Sequence, residues 1–240
     1  MSSFEYYNAK VKNIIHETKN INRFHLEFPE LEKYDFKAGQ YAKVVMPIVD
    51  KKTYRQYSIS SEPIGKNEIE FLIVHQPGGL GSGYLFNEIK VGSSLTVSKP
   101  LGRFVLPEVI DRDICFICTG VGLAPFRAMY LDLLNKNIPH KNIYLIFGTR
   151  FKEDLCYLDE LKEMTANHSE FQYIPVLSRE ESPEWTGRKG YVHEIYKEIF
   201  VDQRPALFLL CGWEVMIKEA KTTLGEMGYT KKEIMFEKYD

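Results

Sequence analysis

An apolar run, Ile114-Cys115-Phe116-Ile117, leads through Cys118-Thr119-Gly120-Val121-Gly122 into Leu123-Ala124-Pro125-Phe126. The run predicts a buried strand, and Leu123 to Leu134 predicts a helix. A strand that turns through glycines into a helix start narrows the choice of folds sharply. There the backbone can approach a phosphate closely, and the unpaired amides of the first helical turn favour negative charge. Pro125 suits that first turn, where a missing amide goes unused. An ordinary dinucleotide fingerprint carries a third glycine where Pro125 stands, so the turn alone also fits a tight connection that binds nothing.

The chain beyond this turn alternates strand and helix. Strands are predicted at Ile114 to Cys118, Ile143 to Phe147, Phe171 to Leu177, Leu207 to Cys211 and Ile234 to Tyr239. Helices are predicted at Leu123 to Leu134, Asp154 to Met164, Val192 to Ile199 and Glu214 to Met227. Such alternation means a parallel sheet covered by helices on both faces. Pro175 cannot donate to a ladder, which predicts an edge position for its strand. Ligands of these sheets bind beyond the carboxyl ends of the strands. Those ends carry Thr119-Gly120, Gly148-Thr149-Arg150, Ser178-Arg179 and Cys211-Gly212, which are small, polar or basic, as an anionic nucleotide needs. No acid lies between Phe147 and Arg150, where an ordinary NAD site would hold ribose hydroxyls.

The chain before this turn reads differently. Short strand candidates run from Val11 to Ile15, Ile21 to Phe28, Tyr41 to Met46, Tyr54 to Ser60, Ile69 to His75 and Ser94 to Ser98, with turn residues between them. Almost no helix is expected, which predicts an antiparallel barrel or sandwich. In Arg55-Gln56-Tyr57-Ser58-Ile59-Ser60, Arg55 and Tyr57 share one strand face, and Ser58 and Ser60 the other. The arginine suits a phosphate and the tyrosine a flat ring, but the stretch is equally a solvated edge strand. Pro77-Gly78-Gly79-Leu80-Gly81-Ser82-Gly83 puts four glycines ahead of a short helix, either a second phosphate cradle or a flexible hairpin loop. Pro100-Leu101-Gly102-Arg103-Phe104 is a closing turn. The two patterns meet near Pro107 to Asp113, which predicts domains over 1–108 and 109–240.

A chain of 240 residues can bury one large core or two ordinary ones. Its net charge of −2 gives no reason to expect nucleic acid or anionic membrane as a main partner. The start, Met1-Ser2-Ser3-Phe4-Glu5, lacks the basic and apolar regions of a signal peptide, and the longest apolar stretch is too short to span a bilayer. A cytoplasmic setting is the expectation. Of the four cysteines, Cys115 and Cys118 lie three apart on a predicted strand and point to opposite faces. No metal or iron–sulfur site is expected, and Cys115 and Cys156 read as small buried apolar residues.

The order of the motifs carries more than any one of them. Arg55-x-Tyr57-Ser58, Gly78-Gly79 to Ser82, Pro100-x-Gly102-x-Phe104, Thr119 to Phe126, Phe147-Gly148-x-Arg150, Cys211-Gly212 and Glu237-x-Tyr239 follow one another along nearly the whole chain. In this order they resemble the ferredoxin–NADP⁺ reductase family, in a compact bacterial form without an iron–sulfur domain. The resemblance implies an antiparallel FAD-binding β-barrel followed by a Rossmann-like parallel-sheet NAD(P)-binding domain, with the active site in a cleft between them.

It also implies roles. Arg55 would pair with the flavin diphosphate, and Tyr57 would lie on one face of the isoalloxazine. Ser58 would bond near flavin N5, with Ile59 and Ser60 continuing that wall and Val74 and His75 on the neighbouring strand. The backbone of Gly78, Gly79, Leu80, Gly81 and Ser82 would cradle the diphosphate. Thr119, Gly120, Val121, Gly122 and Pro125 would hold the pyridine nucleotide, with Arg150 and Gly212 at neighbouring strand ends. Ser178, Arg179 and Arg188 suit a 2′-phosphate, which favours NADP over NAD. Cys211 would sit near the nicotinamide, Glu237 beside the reacting carbon, and Tyr239 over the other flavin face. On the residues alone, a tyrosine so near the terminus would be frayed.

There are departures from the pattern. A basic residue often found before the glycine-rich loop is absent from Ile73-Val74-His75-Gln76, where His75 is a substitute. The chain also runs past the terminal aromatic to Asp240. FMN is the alternative to FAD, since no adenine pocket is legible. The activity implied is hydride transfer between NADP(H) and FAD, with single electrons passed to a ferredoxin or flavodoxin. The alternatives are an NADH-dependent reductase component of an oxygenase and, outside enzymes, a flavin-binding subunit without turnover. A monomer or weak dimer is expected. The remaining histidines, His16, His25, His140, His168 and His193, default to surface or packing roles.

Overall fold

Why the first part of the chain curls into a barrel is visible in its alternation. In the computed structural model, which describes residues 5–47 and 53–239, β1 spans Tyr6–Thr18 and buries Ala9 and Val11 while their neighbours face out. It pairs antiparallel with β2 (Ile21–Glu27), and β2 pairs with β5 (Glu68–Val74). On its other side β1 pairs with β6 (Ser94–Ser98), then come β3 (Tyr41–Met46) and β4 (Thr53–Ser58), giving the order β4-β3-β6-β1-β2-β5. The two outer strands meet just past the end of β4. Ile59 bridges Phe71, and the Ser60 amide donates to the Glu70 carbonyl at 2.8 Å. Closure of this kind removes the exposed edges of a sheet. The inward faces form one core that includes Phe24, Leu26, Phe28, Val44, Ile59 and Phe71.

The second sheet is parallel, with the order β10-β9-β8-β7-β11-β12. β7 (Asp113–Thr119), β8 (Ile143–Thr149) and β11 (Ala206–Trp213) are buried along nearly their whole length, because helices cover both faces. β9 is Phe171–Leu177, β10 is the two-residue Arg188–Lys189, and β12 (Ile234–Tyr239) is a half-exposed edge. The helices are α1 (Leu80–Asn87), α2 (Leu123–Asn135), α3 (Leu158–Asn167), α4 (Val192–Ile199) and α5 (Glu214–Glu226). Two compact units result. The first runs to Leu106 and takes in Ala124–Asp132; the second holds Pro107–Leu123 and everything from Leu133.

Several expectations are corrected here. The strand with Pro175 is not the edge, because β10 pairs with Val176 and Leu177. Leu177 turns its carbonyl to Gly190 beyond β10, so the Pro175 nitrogen, two residues earlier, faces the same side but beyond the end of that short strand. The missing amide is thus left unopposed, which is the condition that proline requires. The helix predicted from Asp154 begins at Leu158, because Tyr157 stands in the left-handed region at φ +52° and separates it from a short turn at Lys152–Asp154. The predicted strand to Ser60 ends at Ser58, where the backbone leaves β3 to make the barrel closure. Among the described residues, no helix is long and apolar enough to cross a membrane.

Candidate functional site

In the first unit the Arg55 and glycine motifs come together. Gly81 and Gly83 lie inside α1 rather than before it, which corrects the expected loop of four glycines. Gly79 caps the helix, and the Ser82 hydroxyl accepts from the Gln76 amide at 3.0 Å, holding the turn in place. Gly78 has φ +75°, a value that favours glycine. Arg55 is exposed on β4 and its stem lies against Gly81, where an added Cβ would stand 2.9 Å from Cγ. A guanidinium and the free amides of Leu80, Gly81 and Ser82 therefore share one place. A diphosphate fits both.

Beside them Tyr57 is half-buried, with its ring centroid 5.8 Å from that of Phe71. Burial pushes its hydroxyl up to about 12, so it stays protonated and offers a flat, neutral face. Ser58, Ile59 and Ser60 are buried. Val74 is half-buried at the end of β5. His75 stacks on Phe86, ring centroids 4.9 Å apart, so its ring is packed against α1.

Sequence reasoning missed the partners of Ser60. Glu70 is 2 % exposed and Arg127, on α2, is 9 % exposed. The arginine's Nη1 donates to the Ser60 carbonyl at 2.9 Å and to Glu70 Oε1 at 3.2 Å. The one signal in the sequence was Arg127 itself, the lone charge between Leu123 and Tyr130, which needs a partner once that stretch is buried, although nothing local names Glu70 as that partner.

In the second unit β8 and β9 run to one side of β7, and the chain then crosses to place β11 on the other. This reversal is where sheets of this type bind ligands. Thr119 ends β7, Gly120–Gly122 form a short 3₁₀ turn, and Pro125 lies in the first turn of α2. A Cβ on Gly122 would stand 2.4 Å from the Cys211 carbonyl oxygen. Gly212, at φ +123°, could carry none either, with Thr119 Oγ1 only 2.5 Å away. That same Oγ1 accepts from the Trp213 amide at 3.1 Å. By contrast, a Cβ on Gly120 would meet nothing within 4 Å, so the turn is open above Gly120, with room for a diphosphate.

At the ends of β11 and β12 the register sets Cys211 beside Glu237 and Trp213 beside Tyr239. Tyr239 is therefore a paired strand residue and not frayed; Asp240 lies outside the described residues. Burial, then Glu237, pushes the Cys211 thiol well up, so it is a neutral group.

Ser178 and Arg179 line a groove of about 590 Å³ with Phe151, Glu180, Glu181 and Ser182. The Arg179 amide donates to the Arg150 carbonyl at 3.0 Å, so β8 and β9 stay in register beyond their ends. Glu180 accepts from the amides of Lys152 and Ser182, both at 2.9 Å, and those amides hold it below the usual carboxylate range. Arg188 is turned elsewhere: its guanidinium pairs with Glu198 of α4.

Residues 8–106 match the oxidoreductase FAD-binding domain family and residues 116–222 the oxidoreductase NAD-binding domain family. The chain is 32% identical over 213 residues to ferredoxin–NADP reductase B of Sorangium cellulosum, covering 85% of this chain and 86% of that one. The chain belongs to the ferredoxin–NADP reductase family. A family member from Neisseria gonorrhoeae, solved with FAD and NADP, superposes with a TM-score of 0.84 at 26% identity, over 98% of this chain and 99% of that one. The anthranilate 1,2-dioxygenase electron transfer component of Acinetobacter baylyi is 33% identical over 227 residues; the match covers 94% of this chain but only 64% of that longer relative. As a family member, the chain is an NAD(P)H-dependent flavoprotein reductase with FAD-binding and NAD-binding domains.

Proposed function

We propose that the chain moves electrons between NADP(H) and a separate one-electron carrier protein, a ferredoxin or flavodoxin. The observation that carries the coenzyme choice is the groove in which Ser178 and Arg179 stand beside the exposed ring of Phe151. A serine hydroxyl and a guanidinium suit a 2′-phosphate, and Phe151 suits an adenine face. Glu180, kept ionised by two backbone amides, and Glu181 bring negative charge to the same groove, so this reading places the whole attraction for a 2′-phosphate on Arg179.

A bound flavin accepts a hydride from a nicotinamide and releases its electrons singly. The chain's own residues bind and align. Arg55 and the first turn of α1 hold the flavin diphosphate, Tyr57 packs on the isoalloxazine, and Ser58 bonds to its edge. Thr119 to Gly122 hold the nucleotide diphosphate. Cys211, Glu237 and Tyr239 form the nicotinamide end, where a neutral thiol places no competing charge beside the ring.

A second reading is the NADH-using reductase component of an oxygenase system. Arg188 favours it, because its pairing with Glu198 removes one cation from the groove. Steady-state oxidation of NADPH and NADH by a dye acceptor, then by a ferredoxin, separates the two. Higher kcat/KM with NADPH and reduction of ferredoxin support the first reading; preference for NADH supports the second. A protein that purifies without flavin, or without turnover, is neither.

A further inference from the structure

We propose that Glu70 and Arg127 are positioning residues that fix the flavin-facing end of β4 through Ser60. This rests on the reading that Tyr57 and Ser58 face the flavin. Ser60 is fully buried and its amide, hydroxyl and carbonyl are all held. Its hydroxyl donates to Glu70 Oε1 at 2.8 Å, and its carbonyl accepts from Arg127 Nη1 at 2.9 Å. The same Nη1 reaches Glu70 Oε1 at 3.2 Å, so the three groups form a closed triangle. The other carboxylate oxygen, Oε2, faces Arg23, with Nε and Nη2 both at 3.0 Å, and His25 Nε2 at 3.1 Å. Arg23 is tied in turn to Glu17 at 3.3 Å.

The location gives this network its purpose. β4 ends at Ser58, and beyond it the chain joins the barrel wall through the Ile59–Phe71 bridge, the Ile59 amide on the Gln40 carbonyl, the Ser60–Glu70 backbone bond and the Glu70 amide on Ser61 Oγ. Without a full ladder, two residues beyond Ser58 the chain could shift by a fraction of an ångström. A buried carboxylate and guanidinium, each satisfied, hold it to one geometry. Arg127 Nη1 meets a carbonyl and a carboxylate at once, and the rigid planar guanidinium fixes the direction of both contacts, which a lysine ammonium on a flexible stem does poorly.

The test is Arg127→Lys, with Ser60→Ala as a milder variant that keeps the carbonyl contact. The readout is FAD affinity of the deflavinated protein together with the visible spectrum of the reconstituted one. The expected result for Arg127→Lys is an FAD Kd raised about tenfold, a shifted flavin spectrum and a lowered kcat at unchanged coenzyme KM. Ser60→Ala should move Kd and spectrum the same way by about threefold. If either variant loses thermal stability while Kd, spectrum and kcat stay at wild-type values, the network only braces the fold and the proposal is overturned. Arg55→Ala is measured alongside. If it also leaves FAD binding unchanged, the flavin-face reading fails; if it weakens FAD while the other two do not, this inference alone fails.

Discussion

Arg55 lies against a glycine that sits inside a helix: a methyl group on Gly81 would come within 2.9 Å of the arginine's Cγ. Glycine in a helix interior ordinarily costs about 1 kcal/mol relative to alanine. The site keeps it because the arginine stem occupies the space. Gly81→Ala is expected to leave thermal stability equal or slightly higher and to weaken FAD binding, by displacing Arg55. Flavin titration of the apoprotein checks it; unchanged affinity would sink the assignment of Arg55 to the diphosphate.

Arg179→Ala should raise the KM for NADPH far more than that for NADH. Arg179 lines the groove while Arg188 is paired with Glu198, so on the proposed reading recognition of a 2′-phosphate would fall on one cation. Arg188→Ala should therefore change the two KM values about equally. The four constants, measured by coenzyme oxidation with a dye acceptor, decide the matter.

Tyr239 pairs with Trp213 at the ends of β12 and β11, beside Cys211. On the proposed reading, an incoming nicotinamide displaces its ring at a cost on the order of 1 kcal/mol, which NADPH would offset through 2′-phosphate contacts that NADH lacks. Tyr239→Ser is expected to narrow the NADPH-over-NADH ratio and slow release of oxidised nucleotide, both accessible to stopped-flow measurement. An unchanged ratio would refute the role.

Two glycines of the nucleotide domain separate stability from binding. Gly212 combines φ +123° with Thr119 atoms at 2.5 and 2.8 Å from any Cβ. Gly212→Ala should cost roughly 2–4 kcal/mol of stability in denaturant titration. Gly120 has φ +53° and open space, so Gly120→Ala should cost only about 1 kcal/mol of backbone strain. Its main effect should be a raised KM for the coenzyme.

Acid sensitivity has a stated source. Burial lowers the proton affinity of His25 and of His193 below the ordinary histidine value of 6.5. The unfolded chain then binds protons that the folded chain does not, so stability is complete above about pH 6.5 and declines as pH falls below it. Urea midpoints at about pH 7.5 and about pH 5.5 should differ in that direction. His25→Gln and His193→Gln should each flatten the difference.

The strand–glycine–helix turn at Thr119 to Gly122 and the pairing of Arg55 with Tyr57 on one strand were legible because each is a local pattern. Glu70 was not. On a strand of alternating residues, Glu68 and Glu70 read as one solvated face, and only Glu68 is exposed. What buries Glu70 includes Arg127 on α2, more than fifty residues on, and period-two reasoning has no access to it. The start of α1 was misread for a related reason. Gly81 and Gly83 look like loop residues until Arg55, distant in sequence, is seen to need the room.

The barrel wall is laddered along β1–β2, β1–β6, β2–β5 and β3–β4, whereas β3 meets β6 at Val44–Val97 and β4 meets β5 just past its own end. At the second of these the backbone contacts are the Ile59–Phe71 bridge and the Ser60 amide, helped by the Ser60 and Ser61 hydroxyls on Glu70. A cylinder opens first along a thin seam, and the one between β4 and β5 borders Tyr57. Without flavin, amide hydrogens around Ile59, Ser60 and Phe71 should exchange with solvent sooner than those of β1 and β2, through brief local opening rather than global unfolding. A flavin packed on Tyr57 would shut the same seam. Its dissociation rate would then be bounded by how often the wall parts there, making cofactor retention a property of barrel breathing as well as of direct contacts.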